Sequence, residues 1–170
     1  MSILAARKNK YYFEMQIILI VVGKTEPPFY TEEVEKYLSR LRRFITFEMK
    51  VIPELRNSTN MTEDMIRNRE GDAILQNIKA DDCLVLLDER GKEFDSVQFA
   101  GFVNEKMVNL RGRLVFVIGG TFGFGKAVYD AATQKIALSK MTFTHQMVRV
   151  FFLEQLYRAM TIIRNIPYHH

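Results

Sequence analysis

The sequence predicts one α/β domain in which helices cover both faces of a mainly parallel sheet. Strand-length apolar runs alternate with segments of helical periodicity along the chain. The apolar runs at 16–22, 83–87 and 114–118 are continuous rather than alternating, as in strands that are covered on both faces. With 170 residues and 48% hydrophobic content, the chain can bury one core but not two independent ones.

The first half of the chain supplies two helices and a second strand. Apolar residues at helical spacing predict a helix over 30–44, with Thr31 as a candidate N-cap. The alternating segment 47–52 predicts a strand that stops at Pro53 and leads into a polar loop. A second helix is expected over 62–78.

The second half continues the alternation. After the strand at 83–87, the polar segment 88–92 predicts a turn, and Ser96 is a candidate cap for a helix that ends near Leu110. A strand at 114–118 leads through a glycine-rich turn at 119–125 into a helix at 126–133. A short strand at 135–138 then leads through a loop at 139–143 into the last helix, at about 144–164.

Three segments follow the carboxyl ends of predicted strands. They are the polar segment 88–92, the glycine-rich turn 119–125 and the loop 139–143. Ligands of open parallel sheets bind beyond the carboxyl ends of the strands. The sequence therefore predicts a ligand site where these three segments meet.

The glycine-rich turn comes within one residue of a phosphate-binding P-loop. Gly120–Ala127 matches the pattern of two glycines and a lysine, but Ala127 stands where the pattern has Ser or Thr. Alanine has no hydroxyl to bind Mg²⁺, which argues against a nucleoside triphosphate. A tight strand-to-helix turn and the wall of a pocket for a flat organic ligand both remain open.

The segment Leu138–Phe143 joins a short strand to the last helix. Its main-chain N–H and C=O groups lie at the sheet edge, where such groups can bind an adenine ring without a side-chain acid. The alternative is a plain connection in which Thr142 or Thr144 caps the helix.

Charge is distributed unevenly along the chain. Residues 1–110 hold 16 basic and 18 acidic residues, whereas 111–170 hold eight basic and two acidic ones together with all three histidines. The C-terminal third is therefore the part that we expect to meet a polyanion. A basic face that is only solvated is the alternative.

The last helix is apolar on nearly every side, so it has to be covered on nearly every side. In a chain of this size a second subunit would supply the missing cover, and we expect a homodimer through this helix. Arg149 and Arg158 are candidate ligands of RNA phosphate, although Glu154 and Arg158 can also form an ion pair on the helix surface. His145 lies next to the expected ligand loop, and a role in capping or in the core is its alternative.

The tail after this helix is rich in aromatic and imidazole groups. Tyr168 can stack on a base, and His169 can titrate near neutral pH; a disordered tail without a role is the alternative. Residues 1–14 lack the apolar core of a signal peptide, so none is expected there, and no apolar run is long enough to span a membrane. Cys83 is the single cysteine, so it forms neither an internal disulfide nor a metal cluster, and we expect a cytoplasmic protein without a metal site.

Several segments resemble the RlmH family of SPOUT methyltransferases. They are Met15–Lys24, Val115–Gly120, Leu138–Arg149, Glu154–Arg158 and Pro167–His169. The resemblance runs from Met15 to the last residues, so 15–170 are expected to form one SPOUT domain, preceded by an extension at 1–14. Thr144 stands where the family has Pro, and the chain ends in His170 where Lys or Arg is usual.

The resemblance implies an α/β trefoil knot, formed by about residues 114–170, which binds S-adenosylmethionine in a homodimer. It also implies methylation of N3 of a pseudouridine in helix 69 of 23S ribosomal RNA, on the assembled ribosome. The family's methyl-donor contacts carry over to Leu87, Gly119, Leu138, Ser139, Lys140, Met141, Thr142 and Phe143.

Methylation of N3 requires removal of its proton, which calls for an acceptor with a pKa near neutrality. His145 and His169 are the candidates, with Tyr168 orienting the acceptor base. Two other functions stay open from the sequence: a tRNA methyltransferase of the same fold, and an RNA-binding dimer without activity.

Overall fold

The computed structural model describes residues 15–168 and contains one five-stranded sheet. Every neighbouring pair of strands is parallel, and the strand order is β2-β1-β4-β3-β5. The strands are β1 Gln16–Val22, β2 Thr46–Ile52, β3 Cys83–Glu93, β4 Leu114–Ile118 and β5 Gln134–Ala137. The predicted parallel sheet is confirmed, and the expectations for residues 1–14 and for His169 lie outside the described residues.

Helices cover both faces of this sheet, as predicted. Within 15–168 they are α1 Pro28–Leu41, α2 Glu63–Leu75, α3 Ser96–Asn109, α4 Lys126–Ala131 and α5 His145–Ile163. Alternate side chains of β1 enter opposite cores: Ile17 packs with α1, α3 and α5, whereas Ile18 packs with α2 and α4. This division follows from the twofold alternation of side chains along a strand, and it explains why the strands are apolar on both sides.

The helix starts correct two of the predicted caps. Thr31 lies inside α1, which begins at Pro28, and its Oγ1 donates a hydrogen bond to the main-chain oxygen of Thr25 at 3.0 Å. Asp95, rather than Ser96, caps α3 and forms a capping box with Gln98. Carboxylate and hydroxyl side chains are equally good acceptors for a main-chain N–H. The sequence alone therefore does not show which of two neighbouring residues, Asp95 or Ser96, caps the helix.

The polar segment 88–92 is not the turn that the sequence predicted. Strand β3 continues through it to Glu93, with a shift of register against β5 between Leu87 and Lys92. At Gly91 the two strands approach so closely that an added Cβ would lie 2.5 Å from the main-chain nitrogen of Ile136. The bulge keeps β3 paired and still turns Asp88 towards the carboxyl edge of the sheet.

Helix α5 lies between α1 and α3 on one face of the sheet. These two helices bury within one chain much of the apolar surface that led us to expect a second subunit. Thr144 caps α5, because its Oγ1 accepts a hydrogen bond from the main-chain nitrogen of Met147. The homodimer and the trefoil knot stay predictions.

Residues 15–168 contain neither a membrane-spanning helix nor a metal-binding group. Over 15–168, no helix has the length and apolar content that crossing a membrane requires. In the same part of the chain, no three His, Cys, Asp or Glu side chains are grouped as ligands of a metal ion.

Candidate active site

A cavity of about 570 Å³ opens at the carboxyl ends of β4 and β5, beside the irregular part of β3. Its wall includes Leu87–Arg90 of β3, the glycine-rich turn after β4 and the loop after β5, so the three segments meet as the sequence predicted. Of the residues expected to bind the methyl donor, those on the wall are Leu87, Gly119, Leu138, Ser139, Met141, Thr142 and Phe143. Lys140 is not on the wall, and its Nζ lies 3.6 Å from Glu93 Oε2.

The glycine-rich turn is closed by its own main chain. The nitrogen of Gly123, which has a positive φ of 75°, donates to the oxygen of Gly120 at 3.1 Å. The following helix α4 has only six residues, and Lys126 Nζ at its start is bound to Asp130 Oδ2 at 2.6 Å. A P-loop lysine points towards phosphate instead, so this turn forms a compact wall of the cavity.

The loop between β5 and α5 forms the opposite wall. Ser139 Oγ accepts a hydrogen bond from the main-chain nitrogen of Met141 at 3.0 Å, which keeps this loop compact. Thr142 Oγ1 donates to Glu89 Oε2 at 3.4 Å and joins the loop to the bulge of β3. The side chain of Met141 is 73% exposed at the mouth of the cavity, where a bound ligand would cover it.

A polar group on the cavity wall was not predicted. Tyr129 donates its hydroxyl to Asp88 Oδ2, and Arg90 Nη2 donates to the same hydroxyl at 2.9 Å. Burial works to raise the pKa of Asp88, but hydrogen bonds from Tyr129 and from the main chain of Arg90 outweigh it, so the pKa lies below its usual value. Asp88 directly follows the apolar run of β3, and this position could have drawn attention to it.

His145 is the first residue of α5 and lines the cavity. Burial and the nearby charge of Arg149 lower the pKa of its imidazole from the ordinary value of 6.5. The imidazole is therefore mainly neutral at pH 7 and able to accept a proton. It lines the same cavity as the loop 139–143, and its role in the reaction stays a prediction.

Arg149 is not on the surface, which corrects its expected contact with RNA phosphate. Its side chain is 0% exposed, and it donates from Nη2 to the main-chain oxygen of Val22 and from Nη1 to Thr25 Oγ1. The partners that bury this guanidinium lie more than 120 residues away in sequence. We therefore assign Arg149 to the positioning of α5 against the end of β1.

Arg158 of α5 and Tyr168 of the tail form a separate cluster with Glu154. Tyr168 donates to Glu154 Oε1 at 3.3 Å, and the same oxygen accepts from Arg158 Nη2 at 2.6 Å, which confirms the predicted ion pair. Burial, a hydrogen bond with Tyr37 and the charge of Glu154 raise the pKa of Tyr168 to about 12. At neutral pH Tyr168 is therefore a hydrogen-bond donor, and in this chain it does not line the cavity.

Known proteins of one family match this chain over nearly its whole length. A sequence model of the family described as "Predicted SPOUT methyltransferase" matches residues 15–169. Proteins named "Ribosomal RNA large subunit methyltransferase H" from Parabacteroides distasonis, Phocaeicola vulgatus and Bacteroides fragilis are 53%, 51% and 50% identical. Each alignment spans 156 residues, which is 92% of this chain and 99% of the relative.

A solved structure shares the fold. The crystal structure described as "Probable Methyltransferase from Bordetella pertussis Tohama I" has a TM-score of 0.56 and 13% sequence identity. The match covers 91% of this chain and 99% of that one. The family model and the relatives together show that this chain belongs to the SPOUT methyltransferase family.

Proposed function

We propose that this protein transfers a methyl group from S-adenosylmethionine to N3 of a pseudouridine in helix 69 of 23S ribosomal RNA, on the assembled ribosome in the cytoplasm. One observation carries the proposal. Three segments at one sheet edge surround a single cavity, in a chain that is 53% identical over 156 residues to a protein named for methylation of large-subunit ribosomal RNA. The nucleotide, the atom and the ribosomal context come from the family resemblance.

The cavity suits a donor of this size and chemistry. Its volume of about 570 Å³ lies within the range of roughly 300–1,000 Å³ of small-molecule sites. Leu87, Ile118 and Leu138 give it apolar walls, and the loops add main-chain polar groups. Such a combination can enclose an adenine ring and bind its edge, as the resemblance implies for Leu138–Phe143.

The chemistry asks little covalent help from the protein. S-adenosylmethionine supplies a methyl group on a sulfonium, whose C–S bond breaks as the N3–C bond forms. The N3 proton must go to an acceptor, and the neutral imidazole of His145 is in place on the cavity wall. His169 of the tail is the other proposed acceptor. Tyr168 holds its proton too tightly to serve as one, and its proposed role is to orient the acceptor base.

We also propose that the protein is a knotted homodimer in which helix α5 contacts a partner subunit. Phe151 is 39% exposed on α5 and lines, with Phe94 and Phe143, a second, mostly apolar cavity of about 280 Å³. A partner that covers this side would bury these aromatic side chains. The cluster around Tyr168 lies outside the donor cavity of its own chain, which favours a site that the tail of a partner completes.

The function is tested with labelled S-adenosylmethionine and three substrates: ribosomes, free 23S ribosomal RNA and tRNA. We expect methyl transfer to ribosomes, and digestion to nucleosides should yield N3-methylpseudouridine. Methylation of tRNA alone would establish the rival enzyme. No donor binding by calorimetry would favour an RNA-binding dimer without activity.

Mixed dimers test the shared site. One subunit carries Gly120→Ala in the donor cavity, and the other lacks 168–170. Partial recovery of activity in the mixture, from two inactive parents, supports a site shared between subunits. No recovery contradicts it.

A further inference from the structure

A smaller cavity of about 160 Å³ adjoins the proposed donor cavity, and nothing so far gives it a role. Gly120, Thr121 and His145 line both cavities, so the two lie side by side at these residues. The acid side chains Glu54 and Glu70 line the smaller one, together with Ser58. We name it the acidic cavity.

Glu70 is a buried carboxylate that lacks a partner. It lies on α2, is only 8% exposed, and its Oε2 accepts no hydrogen bond within 15–168. No ion pair joins it to a basic side chain in that part of the chain. Burial, with a smaller contribution from the charge of Glu54, raises its pKa above the ordinary value. An unpaired buried carboxylate is costly, so a proton or a cation has to complete this site.

Gly120 fixes the carboxylate at the junction between the two cavities. A Cβ on Gly120 would lie 2.5 Å from Glu70 Oε2, so only glycine lets the turn approach the carboxylate this closely. Glu70 thereby lies directly behind the wall of the donor cavity. A ligand group that passes Gly120 and Thr121 would meet it.

The acids of the donor cavity are less suited to bind a cation from a ligand. Asp88 already accepts hydrogen bonds from Tyr129 and from the main chain of Arg90. Glu89 is exposed to water, and Thr142 donates to it. The guanidinium of Arg149 interacts electrostatically with Glu54, and it donates hydrogen bonds to Val22 and Thr25 rather than to Glu70.

We propose that Glu70, assisted by Glu54, binds the ammonium group of the methionine portion of S-adenosylmethionine. This inference rests on the proposed function. The donor carries one primary ammonium, at the end of a flexible chain opposite the adenine. With adenine against Leu138–Phe143, that chain is free to cross the cavity towards Gly120 and the acidic cavity. A primary ammonium offers three N–H donors, which match two carboxylates and the hydroxyl of Ser58.

Binding of two product-like ligands tests this subsite by calorimetry. S-adenosylhomocysteine keeps the ammonium, whereas 5′-methylthioadenosine lacks the whole amino-acid portion. We expect Glu70→Gln to weaken S-adenosylhomocysteine about ten- to a hundredfold, the range of a charge-assisted hydrogen bond. Its affinity for 5′-methylthioadenosine should change less than about twofold, because that ligand does not reach the acidic cavity.

Glu63→Gln is the matched control, since Glu63 is an exposed acid on the same helix. It should leave both affinities as they are. Equal losses for the two ligands with Glu70→Gln, or no loss for either, overturn the inference. Loss of methylation with both affinities unchanged overturns it too, and makes Glu70 a proton acceptor instead.

A second measurement needs no variant. The analogue of S-adenosylhomocysteine without its amino group should bind the unaltered protein about as weakly as 5′-methylthioadenosine does. Equal affinity of this analogue and S-adenosylhomocysteine contradicts an ammonium subsite. If the unaltered protein binds neither S-adenosylhomocysteine nor S-adenosylmethionine, the proposed function fails, and this failure is distinct from failure of the subsite.

Discussion

Arg149 Nη2 donates a 2.5 Å hydrogen bond to the main-chain oxygen of Val22, the last residue of β1. One turn earlier on α5, Gln146 donates to the oxygen of Lys24 and accepts from the nitrogen of Glu26. The first half of α5 is thereby held on the chain that leaves β1. His145 projects from the same turn, so these contacts also place the proposed proton acceptor.

Arg149→Ala should therefore destabilise the fold without changing how binding to RNA depends on salt. Loss of the guanidinium leaves the oxygen of Val22 without this donor and opens a cavity, and we expect the free energy of unfolding to fall by about 3 kcal/mol. Arg111→Ala, at an exposed arginine, should cost less than about 0.5 kcal/mol. Urea denaturation measures both, and equal stability of the two variants would contradict this assignment of Arg149.

The sequence predicted the sheet well because its strands carry their own signal. The runs at Gln16–Val22 and Leu114–Ile118 are apolar on both sides and match the observed strands to the residue. The continuation of β3 to Glu93 was missed because a polar segment has the same composition in a bulge as in a turn. Only pairing with β5 separates the two cases.

The sequence predicted the segments of the site that lie at the ends of neighbouring strands. It did not predict the residues whose burial depends on contacts with distant parts of the chain. The segments 88–92, 119–125 and 139–143 meet because β3, β4 and β5 are parallel neighbours. The burial of Glu70 depends on Gly120, which lies fifty positions further along the chain, and nothing within α2 marks this acid among its neighbours. Arg149 was misplaced for the same reason, since its partners follow β1.

Gly120→Ala should weaken donor binding through a steric conflict inside the site. The new Cβ would lie 2.5 Å from Glu70 Oε2, so the turn or the carboxylate must move. Gly112→Ala is the control, because its Cβ would lie 1.8 Å from the oxygen of Asp81, away from the residues that line the cavity. Both variants should lose thermal stability, but only Gly120→Ala should lose affinity for S-adenosylmethionine in calorimetry on folded protein. If Gly120→Ala and Gly112→Ala bind S-adenosylmethionine with equal affinity, Gly120 is not part of the donor site.

His145 should make stability depend on pH below neutrality. The unfolded chain takes up this proton near pH 6.5, whereas burial and Arg149 lower the pKa in the folded state. Between the folded-state and unfolded-state pKa values, the unfolded chain binds more protons than the folded one. The contribution of His145 to the free energy of unfolding is therefore complete above pH 6.5 and is lost as the pH drops below that value. The free energy of unfolding of His145→Gln should lack this component between pH 5 and about 8; parallel curves would contradict the lowered pKa.

The same variant tests the proposed chemistry. If His145 accepts the N3 proton, His145→Gln should lower methylation of ribosomes by at least about a hundredfold while donor binding is kept. Gln146→Ala is the comparison, because it loosens the contacts with Lys24 and Glu26 that place the imidazole but keeps the imidazole itself. It should lower the rate less than His145→Gln does. A full rate with His145→Gln would transfer the role of acceptor to His169.

Tyr168 should keep its proton far into the alkaline range. Its pKa of about 12 lies above the usual value of 10, so its stabilising contribution is complete below pH 10 and is lost as pH rises towards 12. In absorbance titration, the difference between the unaltered protein and Tyr168→Phe should be a phenolate step near pH 12. A step near pH 10 would mean that Tyr168 does not contact Tyr37 and Glu154 in solution.

Arg158 remains the proposed phosphate ligand on α5, and salt separates this role from a structural one. Its side chain is 25% exposed, paired with Glu154 and placed over the ring of Tyr168. Each phosphate contact releases condensed counterions, so Arg158→Ala should reduce the slope of log affinity for ribosomes against log salt by about one unit. Arg149→Ala should leave the slope unchanged, because a guanidinium without exposed surface cannot reach phosphate.

Glu154→Gln keeps the charge of Arg158 while weakening its hold on Tyr168. If it lowers affinity as much as Arg158→Ala, and neither changes the slope, Arg158 acts only by holding the tail.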